Sequence, residues 1–417
     1  MRSKILAAVL LSPTLALANG YEVPNVQPRD LALVSSAVAA QEGASATNSN
    51  PAALSRLEGL NLALAGSILS LNTTWQAPAG SQLSGTADTK FSPVPPVSLF
   101  AAYGTKVDGR GLGVGFGLGI PGGGNMHWQD NWQGSGRIVT VERRVYGFYL
   151  NGGYELVPEI LRVGGGGIYY YGTQYLKQGI QPVDGAYGEL AAKGGGFAYE
   201  ASAEITPLRG VPFAIGVDYK HKGTMEMSGD GHFSVPAALQ GPSTQDQGVK
   251  TNLTMPNLLA VGAAYRPTQP LLLTFAWTFS RFVVYKEDLF VGDQGLSITV
   301  PRSYRNGYGF RVGAEWDVNR AWTVRGGLFR DFSGYRESTY SPTLPDSNAW
   351  VGAAGASWHV NPDLAVNGAA YYAIRDRVNS SNWRSDTNPT GALPGIYDTT
   401  ALVVSAGITW RTDLFGR

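Results

Sequence analysis

Cysteine is absent from all 417 residues, which removes disulfides and thiolate metal sites and is compatible with an oxidising compartment. Neither sign of charge is in surplus, with 32 Lys and Arg against 31 Asp and Glu, so no nucleic-acid surface is indicated. Histidine is scarce, and His127, His221, His232 and His359 are scattered without HExxH or similar metal spacing. There is no GxSxG elbow, and the repeated glycines lie within strand-like segments instead of opening a helix, so neither a phosphate loop nor a cofactor is expected. Beyond the first residues no stretch is long and apolar enough for a membrane helix. Such a chain can reside in a membrane only as a closed barrel.

The abundant residues suit that reading. There are 55 glycines, 21 tyrosines and 10 tryptophans. A barrel turns half of each strand towards a polar lumen, so a near-neutral average hydropathy does not exclude the membrane. The chain opens with basic Arg2 and Lys4, an apolar core from Ile5 to Leu17 interrupted by Pro13, and the small-x-small site Ala16-Leu17-Ala18 before Asn19. This reads as a secretory signal peptide, residues 1–18, cleaved after Ala18. The apolar core is short of the roughly 20 residues that an anchoring helix needs.

The stretch Ser303 to Phe332 displays the repeating unit. Tyr304, Tyr308, Phe310, Val312, Ala314 and Trp316 alternate with Ser303, Arg305, Gly307, Gly309, Arg311, Gly313 and Glu315. After the turn Asp317 to Arg320, Trp322, Val324 and Leu328 alternate with Thr323, Arg325 and Asp331. Side chains on a strand alternate faces, so this is an antiparallel hairpin with one apolar and one charged face, aromatics lying towards the ends of the apolar one. Similar units recur from Leu60 to Trp410, with short turns at one end and long loops at the other. About fourteen strands result, an even number as expected of a single-chain bacterial barrel occupying residues 57–417. Tyr187 to Ala192, in the loop Gln178 to Lys193, reads as a turn of helix.

Residues 19–56 do not alternate. Asp30 to Ala40 predicts a short amphipathic helix with Leu31, Val34 and Val38 on one stripe. Asn50-Pro51-Ala52 predicts a new helical turn opened by Pro51. Another departure is the row Gly111, Gly113, Gly115, Gly117 and Gly119, opposite Leu112, Val114, Phe116, Leu118 and Ile120. Glycine weakens a strand, so five at alternate positions mark a space requirement or a backbone distortion. On the inward faces, Arg305, Arg311, Arg325 and Arg375 are suited to hold a substrate carboxylate, with Phe329 and Tyr371 as further lumen contacts. Glu200, Glu204, Asp218, Glu315 and Asp331 also point inward, and a ladder of paired charges is the preferred reading, because buried charge is normally paired.

Asn50-Pro51-Ala52 after a non-strand segment, Trp132 with Gly136-Arg137, Leu253-Thr254-Met255-Pro256 and Leu344-Pro345-Asp346-Ser347 together resemble the FadL/TodX family of outer-membrane transporters. Their order and spacing carry the match across the mature chain; the residues after Trp410 depart from the family's common aromatic C-terminus. The resemblance implies a fourteen-stranded barrel whose N-terminal segment, with Asn50, Pro51 and Ala52, folds inside as a hatch. It also implies a kink in the third strand that opens a side window, which places Gly113, Gly115, Gly117 and Gly119 at a lateral opening. Implied partners are a hydrophobic small molecule, either a long-chain fatty acid or an aromatic hydrocarbon, and the lipopolysaccharide bilayer, the protein acting as a monomer. First contact is expected at the loops Gln178 to Lys193 and Gly229 to Lys250. An adhesive or structural barrel with a fixed plug is the alternative, and a barrel hydrolase ranks lower.

Overall fold

The computed structural model describes residues 20–412, apart from residues 94, 181, 182, 184, 208, 209 and 381–392. The signal segment 1–18 therefore lies outside the described residues. Fourteen strands form the wall: β1 Gly59–Gln76, β2 Val97–Val107, β3 Arg110–His127, β4 Thr140–Val157, β5 Leu161–Gly179, β6 Tyr187–Ile205 and β7 Phe213–Lys220, then β8 Leu258–Thr268, β9 Leu271–Ser280, β10 Gly307–Asp317, β11 Trp322–Phe332, β12 Ala349–His359, β13 Leu364–Arg375 and β14 Ile396–Thr412. Each pairs antiparallel with its neighbour, β7 with β8 and β9 with β10 included. β14 closes the ring on β1 from Leu60↔Thr412 to Gln76↔Ile396, so the strand after Trp410 continues two residues further and seals the seam. Closure leaves neither β1 nor β14 as a terminal edge strand, and a closed ring is what permits strands to cross lipid.

The outward faces carry the apolar belt, with Leu150 61% and Phe197 80% exposed. Aromatic rings meet along its rims, as in Tyr308 stacked on Phe332 at 4.8 Å and Trp322 against Trp358 at 6.5 Å. β5 and β6 run 19 residues each, where about ten suffice to cross the hydrocarbon. Their excess rises into an extracellular cap with the hairpins Gly223–Ser234 with Gln247–Met255 and Glu287–Gly292 with Ser297–Pro301. Tyr187 to Ala192 belongs to β6 and not to a helical turn: it pairs with Gln174 to Gly179 on one side and Gly229 to Ser234 on the other. Much of the expected loop Gly229 to Lys250 is likewise ladder.

Residues 20–58 fill the lumen. The expected helix over Asp30 to Ala40 is shorter and earlier, Pro28–Ala32, and ends where Val34 and Ser35 take φ of 47° and 57°. The chain folds back there because Asp30 is a hub: its carbonyl accepts from Ser35 N at 2.7 Å and its carboxylate from Gln41 at 3.0 Å. Two 3-10 turns follow, Ala44–Asn48 and Pro51–Arg56. Tyr304 departs from its expected lipid-facing row. β10 begins only at Gly307, and Tyr304 turns inward to a buried aromatic group with Phe282 and Tyr285, whose rings also meet Tyr21.

Candidate functional site

The hatch is held by charge. Glu315 on β10 accepts from Arg29 of the hatch at 2.8 Å and from Arg325 on β11 at 2.5 Å. Arg56 of the hatch pairs with Glu204 on β6, which Arg162 also approaches at 3.4 Å. Arg375 pairs with Asp346, whose other oxygen accepts from Gly20 N at 2.8 Å. Lys220 joins Glu200 at 2.8 Å and Asp218 at 2.6 Å, while Asn151 bridges Glu200 to the hatch carbonyl of Thr47. Buried charges removed from water persist because each finds such partners.

Asn50, Pro51 and Ala52 sit where this hatch meets the wall. Asn50 caps the turn through Ala52 N at 3.2 Å and donates to Val38 O at 2.7 Å, and Ala52 N also donates to Ser202 Oγ at 2.9 Å. The wall beneath them is glycine because nothing larger fits: a Cβ on Gly153 or Gly164 would strike the Pro51 and Ala52 backbone. Three glycines of the row on β3, Gly111, Gly113 and Gly115, have the same cause, whereas Gly117 faces Phe100 of the wall and Gly119 has room for a Cβ. A Cβ on Gly111 would strike the Ser55 carbonyl, one on Gly113 the Leu54 carbonyl, one on Gly115 the Thr47 side chain and one on Gly117 the Phe100 ring.

The interruption of the wall begins at the last glycine of that row, Gly119. β2 pairs with β3 from Val107↔Arg110 to Leu99↔Leu118 and stops. β3 continues along β4 with a bulge between Gly119 and Gly122, and Gly123 and Gly124 adopt φ of 151° and 156°. Its freed edge is taken by the hatch: Gly123 N donates to Tyr21 O at 2.8 Å, and Val23 N donates to Pro121 O at 3.0 Å. The facing edge of β1 pairs with β2 only as far as Gly66↔Val97, and with Thr86 to Asp88 above Thr74. The segment between, tied by Lys90 N to His127 O at 2.6 Å and by Ser67 N to Pro96 O at 2.9 Å, contains Pro93, Pro95 and Pro96. Proline has no N–H to donate, so this strap does not zip the gap shut. Pro121 followed by Gly122-Gly123-Gly124 was the sequence signal for this break.

Behind the gap lies a cavity of about 190 Å³. Val23, Val26, Ile120 and Leu258 line its apolar part; Glu22, Ser280, Thr278, Lys220 and Arg311 line its polar part. The Glu22 carboxyl group meets Ser280 Oγ at 3.3 Å. Burial and the nearby Asp331 carboxylate push the Glu22 carboxyl up to about 8, against the opposing pull of Arg311 and Ser280. Of the arginines expected in the lumen, Arg311 alone lines this cavity, donating to Val34 O at 2.7 Å with its guanidinium 3.9 Å over the Phe329 ring. Arg325 and Arg375 are committed to Glu315 and Asp346. Arg305 is not in the lumen: it precedes β10 and is exposed on the extracellular rim, where its backbone bonds to Gly334. Phe329 and Tyr371 are each 1% exposed, in the apolar cluster above the cavity. Glu22, Ser280 and Lys220 were not singled out from the sequence, and only the fold brings them together.

A family model described as outer membrane protein transport protein (OMPP1/FadL/TodX) matches residues 9–412. The fold is similar to that of a Pseudomonas aeruginosa FadL homologue, with TM-score 0.81 and 16% identity, over 94% of this chain and 99% of that one. It is also similar to the Pseudomonas putida toluene transporter TodX, with TM-score 0.70 and 13% identity, over 89% and 95%. In sequence, the Neisseria meningitidis serogroup B outer membrane protein NMB0088 is 23% identical over 222 residues. That stretch is 47% of each chain, so this chain spans about half the length of that relative. Both the hatch and the closed ring of strands fall within the family match, and the chain accordingly belongs to the OMPP1/FadL/TodX family of the bacterial outer membrane.

Proposed function

We propose that this barrel takes up hydrophobic molecules by passive, ligand-gated diffusion and releases them sideways into the outer membrane. The observation that carries the reading is the amphipathic cavity lying directly behind a break in the ladder between β1 and β3, closed from inside by Tyr21 to Val23 of the hatch. The neighbour named as a toluene transporter supports an apolar cargo, which we take to be an aromatic hydrocarbon or a long-chain fatty acid. Arg311 separates these two: a fatty acid brings a carboxylate for the guanidinium, whereas a hydrocarbon uses only the apolar wall.

The route begins in the cap, where Leu176, Ile180, Leu190, Phe233, Ile298 and Val300 line a small apolar pocket of about 90 Å³. From there the ligand reaches the cavity, displaces the hatch segment from β3 and passes beneath the proline strap. Transfer out of water stabilises an apolar solute by about 25 cal/mol per Å², so lipid is the favoured destination and no energy source or catalytic group is required. The exported chain begins at Asn19 after cleavage following Ala18, and acts as a monomer.

The test uses the absence of native cysteine. Glu22 and Gly122 face each other across the hatch–β3 bridge, so Glu22→Cys with Gly122→Cys permits a single disulfide across it. Uptake of labelled hydrophobic substrate is expected to stop on oxidation and return on reduction. Equal uptake by both states refutes gating by this segment. No uptake in either state, with the native protein equally inactive, supports the fixed-plug alternative.

A further inference from the structure

Four exposed cations crowd one arc of the extracellular rim: Arg281, Lys286, Arg305 and Arg336. None forms an ion pair among the described residues. Elsewhere on this side Lys90, Lys177 and Arg377 sit on Asp130, Glu189 and Asp398. The arc is stitched together by backbone and side-chain hydrogen bonds. Val283 N meets Asn306 Oδ1 at 3.3 Å, Ser303 N meets Lys286 O at 2.9 Å, Arg305 N meets Gly334 O at 2.6 Å and Arg336 Nε meets Ser303 O at 2.6 Å. Carboxylates on the same segments are fewer, Glu287 and Glu337 against the four cations, so the arc is net positive.

Its position relative to the lipid is set by register. Arg281 N donates to Asn257 O at 2.9 Å, extending the β8–β9 ladder by one rung, so Arg281 follows Phe279 on the outer face while Ser280 points inward. Directly beneath, Leu259, Phe279, Tyr308 and Phe332 are paired in one outward row across β8 to β11. One pleat lower Arg330 lies against Phe332 and Trp350, but Asp376 at 2.8 Å neutralises it. Within this arc the surplus charge therefore lies at the level just outside the aromatic girdle, where headgroups lie.

We infer that this arc binds the phosphorylated headgroup of the outer-leaflet glycolipid, lipopolysaccharide, whose acyl chains lie against the row Phe279, Tyr308 and Phe332. Clustered cations repel one another unless an anion stands among them, and phosphate accepts several such donors at once. A soluble anion would satisfy the charge but leave the aromatic row unused. The inference rests on residence in the outer membrane and not on the transport reading.

The processed full-length protein is placed in phosphatidylglycerol nanodiscs with trace lipid A, or with lipid A stripped of its phosphates, and bound lipid is counted by native mass spectrometry. Native protein is expected to retain the phosphorylated form preferentially. Each cation near an anionic lipid contributes about fivefold, so Arg281→Ser with Arg336→Ser should weaken retention about twenty- to thirty-fold. Arg281→Ser with Lys286→Ser should match it without disturbing the Ser303 contact, and Lys90→Ser with Arg377→Ser should change retention by less than about twofold. Undiminished retention by either arc variant in an assembled, heat-modifiable barrel overturns the assignment. So does equal retention of the dephosphorylated lipid, or loss of lipid A to millimolar inorganic phosphate.

Discussion

Glu315→Gln removes a carboxylate that two guanidinium groups share. Glu315 is 5% exposed and accepts from Arg29 at 2.8 and 3.3 Å and from Arg325 at 2.5 Å. Glutamine preserves the volume but offers one neutral acceptor and turns amide donors towards cations that are already donors. Alternative partners are poor: Glu42 lies 3.7 Å from Arg29 with its side chain 58% exposed, and Ser357 already holds Arg325 at 2.5 Å. Removing one partner of a buried ion pair costs about 3–5 kcal/mol. Strand pairing does not depend on Glu315, so most of this penalty falls on docking of the hatch. At about 1.4 kcal/mol per tenfold, the ratio of docked to released hatch should fall by roughly two to three and a half orders of magnitude. In planar bilayers the variant should show frequent conductance bursts, with its heat-modifiable mobility intact. Arg29→Met, Glu315→Leu and Arg325→Met together should restore quiet, because an apolar replacement of a buried ionic cluster leaves no charge stranded. A Glu315→Gln barrel that assembles and stays as silent as the native one refutes the electrostatic anchoring.

Other outcomes follow from the same geometry. Gly113→Val should expel the hatch, because its side chain occupies the place of the Leu54 carbonyl; protease protection of residues 20–56 is expected to vanish while the barrel persists. The Glu22 carboxyl is held protonated when docked, so its contribution to docking is complete below about 4.5 and is lost as pH rises through about 8. Bilayer openings should therefore become more frequent across that interval, and Glu22→Gln should flatten the profile; a native profile indifferent to pH counts against the buried position. Arg311→Met should reduce fatty-acid uptake at least tenfold and spare toluene if the cargo is an acid; equal effects on both remove the headgroup role. Deleting residues 19–56 should yield a barrel that leaks small hydrophilic solutes, read as swelling of proteoliposomes.

The wall was legible in the sequence because it obeys a local rule. Alternation with period two specifies which residues face lipid, and the placement of short turns sets the strand count; both survive any change in the partner strand. The rule fails at the ends of the ladder. Tyr304 fits the alternation of Tyr308 and Phe310, yet the strand starts after it and the ring turns inward. Arg305 shares the parity of Arg311 but lies outside the ladder, so parity says nothing about its direction. Tyr187 to Ala192 reads as a helical turn within an expected loop, but its neighbours in space are two strands, and these hold it extended.

The hatch and the gap were decided by tertiary contact. Five glycines in a row announce that something passes close to β3, but space for the hatch and distortion of the strand leave the same sequence mark. Only the positions of Ser55, Leu54 and Thr47 identify the hatch as the cause for Gly111, Gly113 and Gly115, and only the loss of pairing beyond Leu118 locates the break. The charge ladder divides the same way. Sequence alone determined that acids and arginines share the lumen, because strand parity puts them there. Which arginine faces a cavity and which one clamps the hatch was decided by distances between residues as far apart as Arg29 and Glu315. No local pattern encodes these, since the partners meet only when the barrel closes around its own N-terminus.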